Sequence, residues 1–283
     1  MMIDQKYAIC AFADEAGDAA ETQIRAMRDN GVSLLEMRSL GGRNVTTLSD
    51  AEVRAFRTQL EASGISVWSI GSPCGKHQLT EDFTPQLDLL KRTIDIARVA
   101  GASRIRMFSF YGYDGSVAMR DEVMRRLERY VEAARGSGVL LCHENEKGIY
   151  GDTAEHCNDV LRTLPELGGV YDPANFLQCG ENTLAAWELL HDRIDYFHIK
   201  DVRPDGTLVP AGQGAGQIPE LLRRYFAQGG RVMTLEPHLK VFSALASLEE
   251  DGQESVVNDA VYGTQEDAFR AAADGLKAVL AGL

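Results

Sequence analysis

Short apolar runs rich in β-branched and aromatic residues alternate with longer amphipathic stretches eight times along the chain, the pattern of a parallel sheet with a helix after each strand. The runs are YAICAF from Tyr7, SLLEM from Ser33, ISVWSI from Ile65, RIRMFSF from Arg104, VLLCHE from Val139, GGVYD from Gly168, DYFHIK from Asp195 and VMTLEP from Val232. Most are apolar on both faces, as strands covered by helices must be. Ser49 with Glu52, and Thr264 with Asp267, are spaced so that a hydroxyl caps a helix while a carboxylate reaches back. Asp152 and Asp18 read as N-caps of the stretches that follow them. Leu87, Leu90, Ile94, Ala97 and Ala100 form one apolar stripe, which Gly101 ends.

Eight such units in 283 residues predict an α/β fold, a single (β/α)8 TIM barrel over 1–283, for which about 250 residues is typical. A doubly wound sheet is the alternative. The barrel is favoured because no G-x-G-x-x-G follows the first strand, and because polar residues sit after many strands instead of at one switch point. The longest irregular part, 238–263, holds the acidic run LEEDGQESVVND and is expected to be a lid or interface insertion. GQGAGQIP from Gly212 follows a polar stretch, not a strand, and is expected to be a flexible entry to the seventh helix and not a dinucleotide site.

Composition narrows the partners. Lys and Arg total 29 against 42 Asp and Glu, a formal charge of −13, which disfavours nucleic acid and anionic membrane surfaces. No apolar run approaches the ~20 residues of a membrane span, and the first residues lack the basic-then-apolar order of a secretory signal. The 5 cysteines form no C-x-x-C pair. Reduced thiols in a cytoplasmic protein are expected.

Chemistry is expected at the C-terminal strand ends, where barrel enzymes build their sites. Four consecutive units place a metal-capable group there: Glu144 after VLLC, Asp172 after GGVY, His198 within DYFHIK and Glu236 after VMTL. A lone acidic residue at a strand end is ordinarily a helix cap or salt-bridge partner. Four on adjacent strands converge, and uncompensated carboxylates gathered at one rim repel, for which a divalent cation is the usual remedy. Three oxygen donors and one imidazole suit one divalent ion, Mn²⁺ or Mg²⁺ first, with Co²⁺ and Zn²⁺ also compatible.

The strings HENEKGIYGD, YDPANF, FHIKDV and LEPHL, with GSPCGK and RMFSFYGY before them, resemble the xylose isomerase-like TIM barrels known as sugar phosphate isomerases/epimerases over nearly the whole chain. The resemblance implies an enzyme that rearranges a sugar, keto-sugar or sugar phosphate by proton transfer, with Glu144 and Glu236 as acid and base. Members of that family often form homo-oligomers. The chain departs from the ketose 3-epimerase pattern at Asn175, where those enzymes commonly carry His, and at Lys200, within HIKDVR in place of His-x-Ser-Glu-x-x-Arg. A metal-dependent lyase or dehydratase acting on a keto-inositol or 3-keto-glycoside is the competing reading, and a sugar-binding barrel without catalysis the third. A zinc endonuclease of this fold would need more His ligands and a basic groove.

Around this core, Lys200 is expected to bind a substrate hydroxyl, carboxylate or phosphate, or to pair with Glu146 or Asp201. Glu146 shares the strand parity of Glu144, and Lys147 lies in the same loop. Asn175, Lys76 in GSPCGK, Glu36 and Arg38 complete the expected substrate contacts, an ion pair between Glu36 and Arg38 being the alternative for those two. His143 is turned away from Glu144 and is expected to pack beside the site.

Overall fold

The structure, a computed structural model, describes residues 7–245 and 256–283. Each of the eight apolar runs holds one strand of a closed barrel: β1 (Ala8–Ala11), β2 (Leu34–Met37), β3 (Ser66–Gly71), β4 (Arg104–Met107), β5 (Leu140–Glu144), β6 (Gly168–Tyr171), β7 (Ile194–Ile199) and β8 (Val232–Leu235). They pair in parallel in chain order, and β8 closes onto β1 with Ala8 opposite Val232 and Ala11 opposite Leu235. The helices α1 (Ala20–Asp29), α2 (Asp50–Ala62), α3 (Phe83–Ala100), α4 (Val117–Ala134), α5 (Ala154–Thr163), α6 (Pro173–Gln178), α7 (Thr183–Leu190), α8 (Ile218–Ala227) and α9 (Gln265–Ala281) follow the strands. This is the (β/α)8 TIM barrel that the alternation predicts. No helix among the described residues is long and apolar enough to cross a membrane.

Local chemistry explains the element ends. The Ser49 hydroxyl accepts from Glu52 N while the Glu52 carboxylate accepts from Ser49 N, so α2 opens on a reciprocal cap. Thr264 caps α9 in the same way from its hydroxyl side. Two expected caps differ. Thr153, not Asp152, caps α5, because its hydroxyl reaches His156 N while the Asp152 carboxylate turns to the His156 ring. Asp18 leaves α1 without a side-chain cap, its carboxylate accepting instead from the Ser243 hydroxyl. The α3 stripe from Leu87 to Ala100 is buried, and Gly101 ends the helix at φ 77°, a left-handed conformation that costs a Cβ-bearing residue.

The main core lies between the strands and the helices. A smaller cluster of Cys10, Cys142, Val170, Tyr196 and Val232 comes from the alternate strand positions, those that point into the barrel. In the 238–263 segment, residues 246–255 lie outside the described residues. Its flanks are tied together, since Asp259 Oδ1 accepts from Val241 N at 3.0 Å and from Lys240 Nζ at 3.2 Å.

The GQGAGQ loop is held, not loose. Asp201 follows β7 by one residue, and its buried carboxylate accepts from Val202 N and Gly216 N on Oδ1 and from Gly212 N and Gly214 N on Oδ2, all at 2.9–3.0 Å. A Cβ on Gly214 would collide with Asp201 Oδ1 and the Val202 carbonyl, so glycine is required there for close approach. The loop is therefore an anion-binding nest filled by the protein's own carboxylate, and it fixes the chain that carries Lys200. Asp201→Ala, which strands four N–H groups, should lower unfolding free energy in urea by about 2–4 kcal/mol, with Gly214→Ala similarly destabilising.

Candidate metal centre

Parallel order in the barrel makes β5, β6, β7 and β8 neighbours, so their C-terminal ends meet. Glu144 ends β5, Asp172 directly follows β6, His198 lies on β7 and Glu236 directly follows β8. One potential ligand atom from each lies within 4.8 Å of every other, and all four side chains are buried. The structure thus brings together the four residues that the sequence places at these strand ends.

Each side chain is aimed by its surroundings. Asp172 caps α6, with Oδ1 accepting from Asn175 N at 2.9 Å, which leaves Oδ2 facing the cluster. The Asn145 amide clamps the Asp172 backbone, accepting from its N–H at 2.8 Å and donating to its carbonyl at 2.9 Å. The Asn175 amide donates to the Asn145 carbonyl at 2.9 Å. His198 Nδ1 lies 2.7 Å from Glu144 Oε1 and 2.9 Å from Glu236 Oε2, while Nε2 lies 3.2 Å from Glu36 Oε2.

Glu36 thus stands behind the histidine. Its carboxylate also accepts from Tyr196 Oη at 2.8 Å, Thr234 Oγ1 at 2.9 Å and Ser69 Oγ at 3.3 Å. Burial would push its carboxyl up, but the His198 charge and hydrogen bond, with Arg106 and Tyr196, hold it below the usual range. An ionised Glu36 accepting from Nε2 leaves Nδ1 facing the cluster, the arrangement in which a buried carboxylate would fix the tautomer of a metal-binding imidazole. Glu36 is therefore not placed to touch substrate, nor does it pair with Arg38.

Arg38 is likewise not placed as a substrate contact. Its guanidinium is buried, holding Asp14 through Nε at 2.9 Å and Nη2 at 3.1 Å, Glu15 through Nη2 at 3.3 Å and Glu236 Oε1 through Nη1 at 3.1 Å. It lies over Phe12 at 4.2 Å and Phe242 at 4.9 Å. Burial pushes the Glu15 carboxyl up to about 8, against the opposing Arg38 charge. Arg38 clamps Glu236 from outside the cavity.

The remaining expected contacts, Lys76, Glu146, Lys147, Asn175 and Lys200, do line the space in front of the cluster. Lys200 Nζ lies 2.9 Å from Asp172 Oδ2 and 3.9 Å from Glu236 Oε2, so its partner is a carboxylate of the four-residue cluster and not Glu146 or Asp201. Lys76 Nζ donates to Glu146 Oε2 at 3.0 Å. Two residues of this wall were not singled out from the sequence, Arg106 and His238. Arg106 Nε lies 3.1 Å from Glu144 Oε2, its Nη1 donates to the Ser72 carbonyl at 2.8 Å, and its guanidinium covers Phe108. An arginine inside an apolar strand run was the available signal. His143 turns away from the cluster as expected, its Nε2 meeting Ser109 Oγ at 2.9 Å.

The donor set fits a divalent ion. Asp172 Oδ2 and Glu236 Oε2 are buried, and each is met by a cationic side chain at 2.9 Å, Lys200 Nζ and His198 Nδ1 respectively. Bonds of about 2.1 Å to one ion imply ligand separations of roughly 3–4 Å, near those of the cluster. With only protons available, burial disfavours the His198 charge, yet Glu144, Glu36 and Glu236 raise its pKa well above the ordinary value. Burial, with Glu144 and Glu236 nearby, pushes Asp172 up against Lys200. These residues form a cage that demands positive charge.

Residues 24–255 match the sequence model of a family described as xylose isomerase-like TIM barrel. No curated protein matches the chain. Among solved structures, it resembles the probable 3-DHS dehydratase AsbF involved in petrobactin synthesis from Bacillus anthracis, at TM-score 0.73 and 15% identity over 96% of this chain and 98% of that one. The IOLI protein with a binding zinc atom superposes at 0.73 and 15% identity, covering 97% and 98%. D-psicose 3-epimerase in the presence of D-fructose gives 0.70 and 15%, covering 95% and 97%. At such identities the likeness is one of fold.

Two outcomes follow from the cage. An ion entering it displaces a proton from His198, so Mn²⁺ affinity measured by calorimetry should climb about tenfold per pH unit below the raised His198 pKa. Glu36→Gln, which cannot accept as strongly from Nε2, should weaken Mn²⁺ binding about 10–100-fold although Glu36 lies outside the four-residue cluster; unchanged affinity would contradict its aiming role.

Proposed function

The chain belongs to the xylose isomerase-like TIM barrel family, and on that premise we propose that it is a divalent-metal-dependent isomerase or epimerase of a sugar, keto-sugar or sugar phosphate. The observation that carries this reading is the buried Glu144, Asp172, His198 and Glu236 cluster, whose potential ligand atoms lie within 4.8 Å of one another. A divalent ion held there would supply Lewis-acid polarisation of a substrate carbonyl and its adjacent hydroxyl.

The protein's own groups then handle the proton. Glu144 and Glu236 come from non-adjacent strands of the cluster, so their carboxylates reach a carbon beside the carbonyl from different directions. One removes its proton and the other returns one on the opposite face, which inverts the centre; a same-face transfer to the neighbouring carbon interconverts aldose and ketose. Arg106 on Glu144 and Arg38 on Glu236 hold the free oxygens in place, limiting the freedom that would misalign the transfer. The Lys200 ammonium, beside Asp172 and Glu236, stabilises negative charge that develops on substrate oxygen.

Lys200 also supports the second reading. An ammonium near the proton-removing carboxylate can protonate a departing hydroxyl or aglycone, as a lyase or dehydratase acting on a keto-inositol or 3-keto-glycoside requires. The space in front of the cluster has a volume of about 20 Å³, room for a water or an ion but not for a sugar.

Incubation of Mn²⁺-loaded protein with ketoses, inososes and 3-keto-glycosides in D₂O separates the readings. Carbon-bound deuterium in a rearranged sugar supports isomerisation or epimerisation, and loss of water or aglycone supports elimination. Glu236→Gln should reduce turnover about 10²–10⁴-fold. Rearrangement without any deuterium uptake would count against carboxylate proton transfer.

A further inference from the structure

His238, two residues beyond Glu236, is held in an unusual way. Its backbone has φ 46°, a left-handed conformation that is uncommon for a residue with a Cβ and that persists only when the surroundings enforce it. The enforcing contacts are visible. His238 N donates to Glu15 Oε2 at 2.9 Å, and the ring packs on Phe242 at 5.4 Å between centroids. Glu15 is itself gripped by Arg38.

The imidazole that results is 5% exposed, yet neither ring nitrogen has a hydrogen-bond partner among the described residues. Nε2 comes no closer than 3.5 Å to Glu15 Oε1 and 3.6 Å to Glu236 Oε1. Burying an imidazole with both nitrogens unsatisfied is costly, and such groups are ordinarily completed by a ligand or a water. The ring forms part of the wall of the same space as Glu144, Glu236, Lys200 and Asn175. A neutral imidazole offers one donor and one acceptor, which matches a hydroxyl or carbonyl oxygen.

We infer that His238 is a substrate-contacting residue, hydrogen-bonding an oxygen of the polyhydroxylated carbonyl compound beside Glu236. This inference rests on the reading of the centre as a metal-dependent sugar site. His238 lies outside the ligand cluster, so its loss leaves ion binding intact and weakens the organic ligand alone.

The test uses glycolohydroxamate, whose carbonyl and hydroxyl oxygens imitate a chelating hydroxy-ketone, titrated calorimetrically into Mn²⁺-loaded protein. His238→Gly removes the ring and accepts the positive φ, so it is expected to fold; His238→Asn also tolerates that φ and keeps a shorter donor and acceptor. In the glycine variant Mn²⁺ affinity should stay within about twofold while hydroxamate affinity falls about tenfold, as expected for one hydrogen bond. The asparagine variant should recover part of that loss. Hydroxamate affinity unchanged in the glycine variant overturns the contact, and so does a parallel loss of Mn²⁺ affinity, which would place His238 behind the ion. Absence of Mn²⁺ binding in the parent protein instead overturns the metal reading on which the contact depends.

Discussion

The constraint on which the site depends is the balance of buried charge. Glu36, Glu144, Asp172 and Glu236 are withdrawn from water together at the C-terminal rim, with Asp14 and Glu15 behind them. Uncompensated, these carboxylates would repel and take up protons. The protein answers with Arg38, Arg106, Lys200 and a protonated His198, each in contact with a carboxylate. Asp172 Oδ2 and Glu236 Oε2 converge at one point of this array, each held by a cationic side chain, Lys200 or His198. The cluster they belong to could hold a divalent ion there.

Because the charges are paired from fixed directions, the supports also define geometry. Glu36 sets which nitrogen of His198 faces the cluster, Arg38 and Arg106 each hold one oxygen of a carboxylate whose other oxygen is turned inward, and Asn145 with Asn175 fixes Asp172. A side chain locked at both ends pays little entropy when it reacts. The glycine nest around Asp201 extends this to the backbone, since it anchors the residue next to Lys200. Structural ion pairs and site preorganisation are thus the same contacts, which is why Arg38 and Glu36 look like substrate contacts in sequence and act as supports in space.

The strands were legible because their signal is local: an apolar run short enough for a strand, followed by an amphipathic stretch, needs no knowledge of distant residues. The four cluster residues were legible for a related reason, since a polar side chain at the end of an apolar strand has one place to go in a closed barrel. Lys76, Glu146, Lys147, Asn175 and Lys200 followed from nearness to those ends. Loop order was misread at Gly212–Gly216, where a glycine-rich sequence suggests freedom and the Asp201 carboxylate removes it.

By itself, then, the sequence determined the barrel, its strand order and the ring of metal-capable ends, because periodicity and strand-end position are properties of neighbouring residues. Only the tertiary structure decided which polar groups face the cavity and which stand behind it. Glu36 meets His198 across 162 positions and Arg38 meets Glu236 across 198, contacts that closure of β8 onto β1 brings together. Spacing along the chain carries no trace of these encounters. The same is true of His238, whose unsatisfied ring becomes informative only once Glu15, Phe242 and the cavity wall surround it.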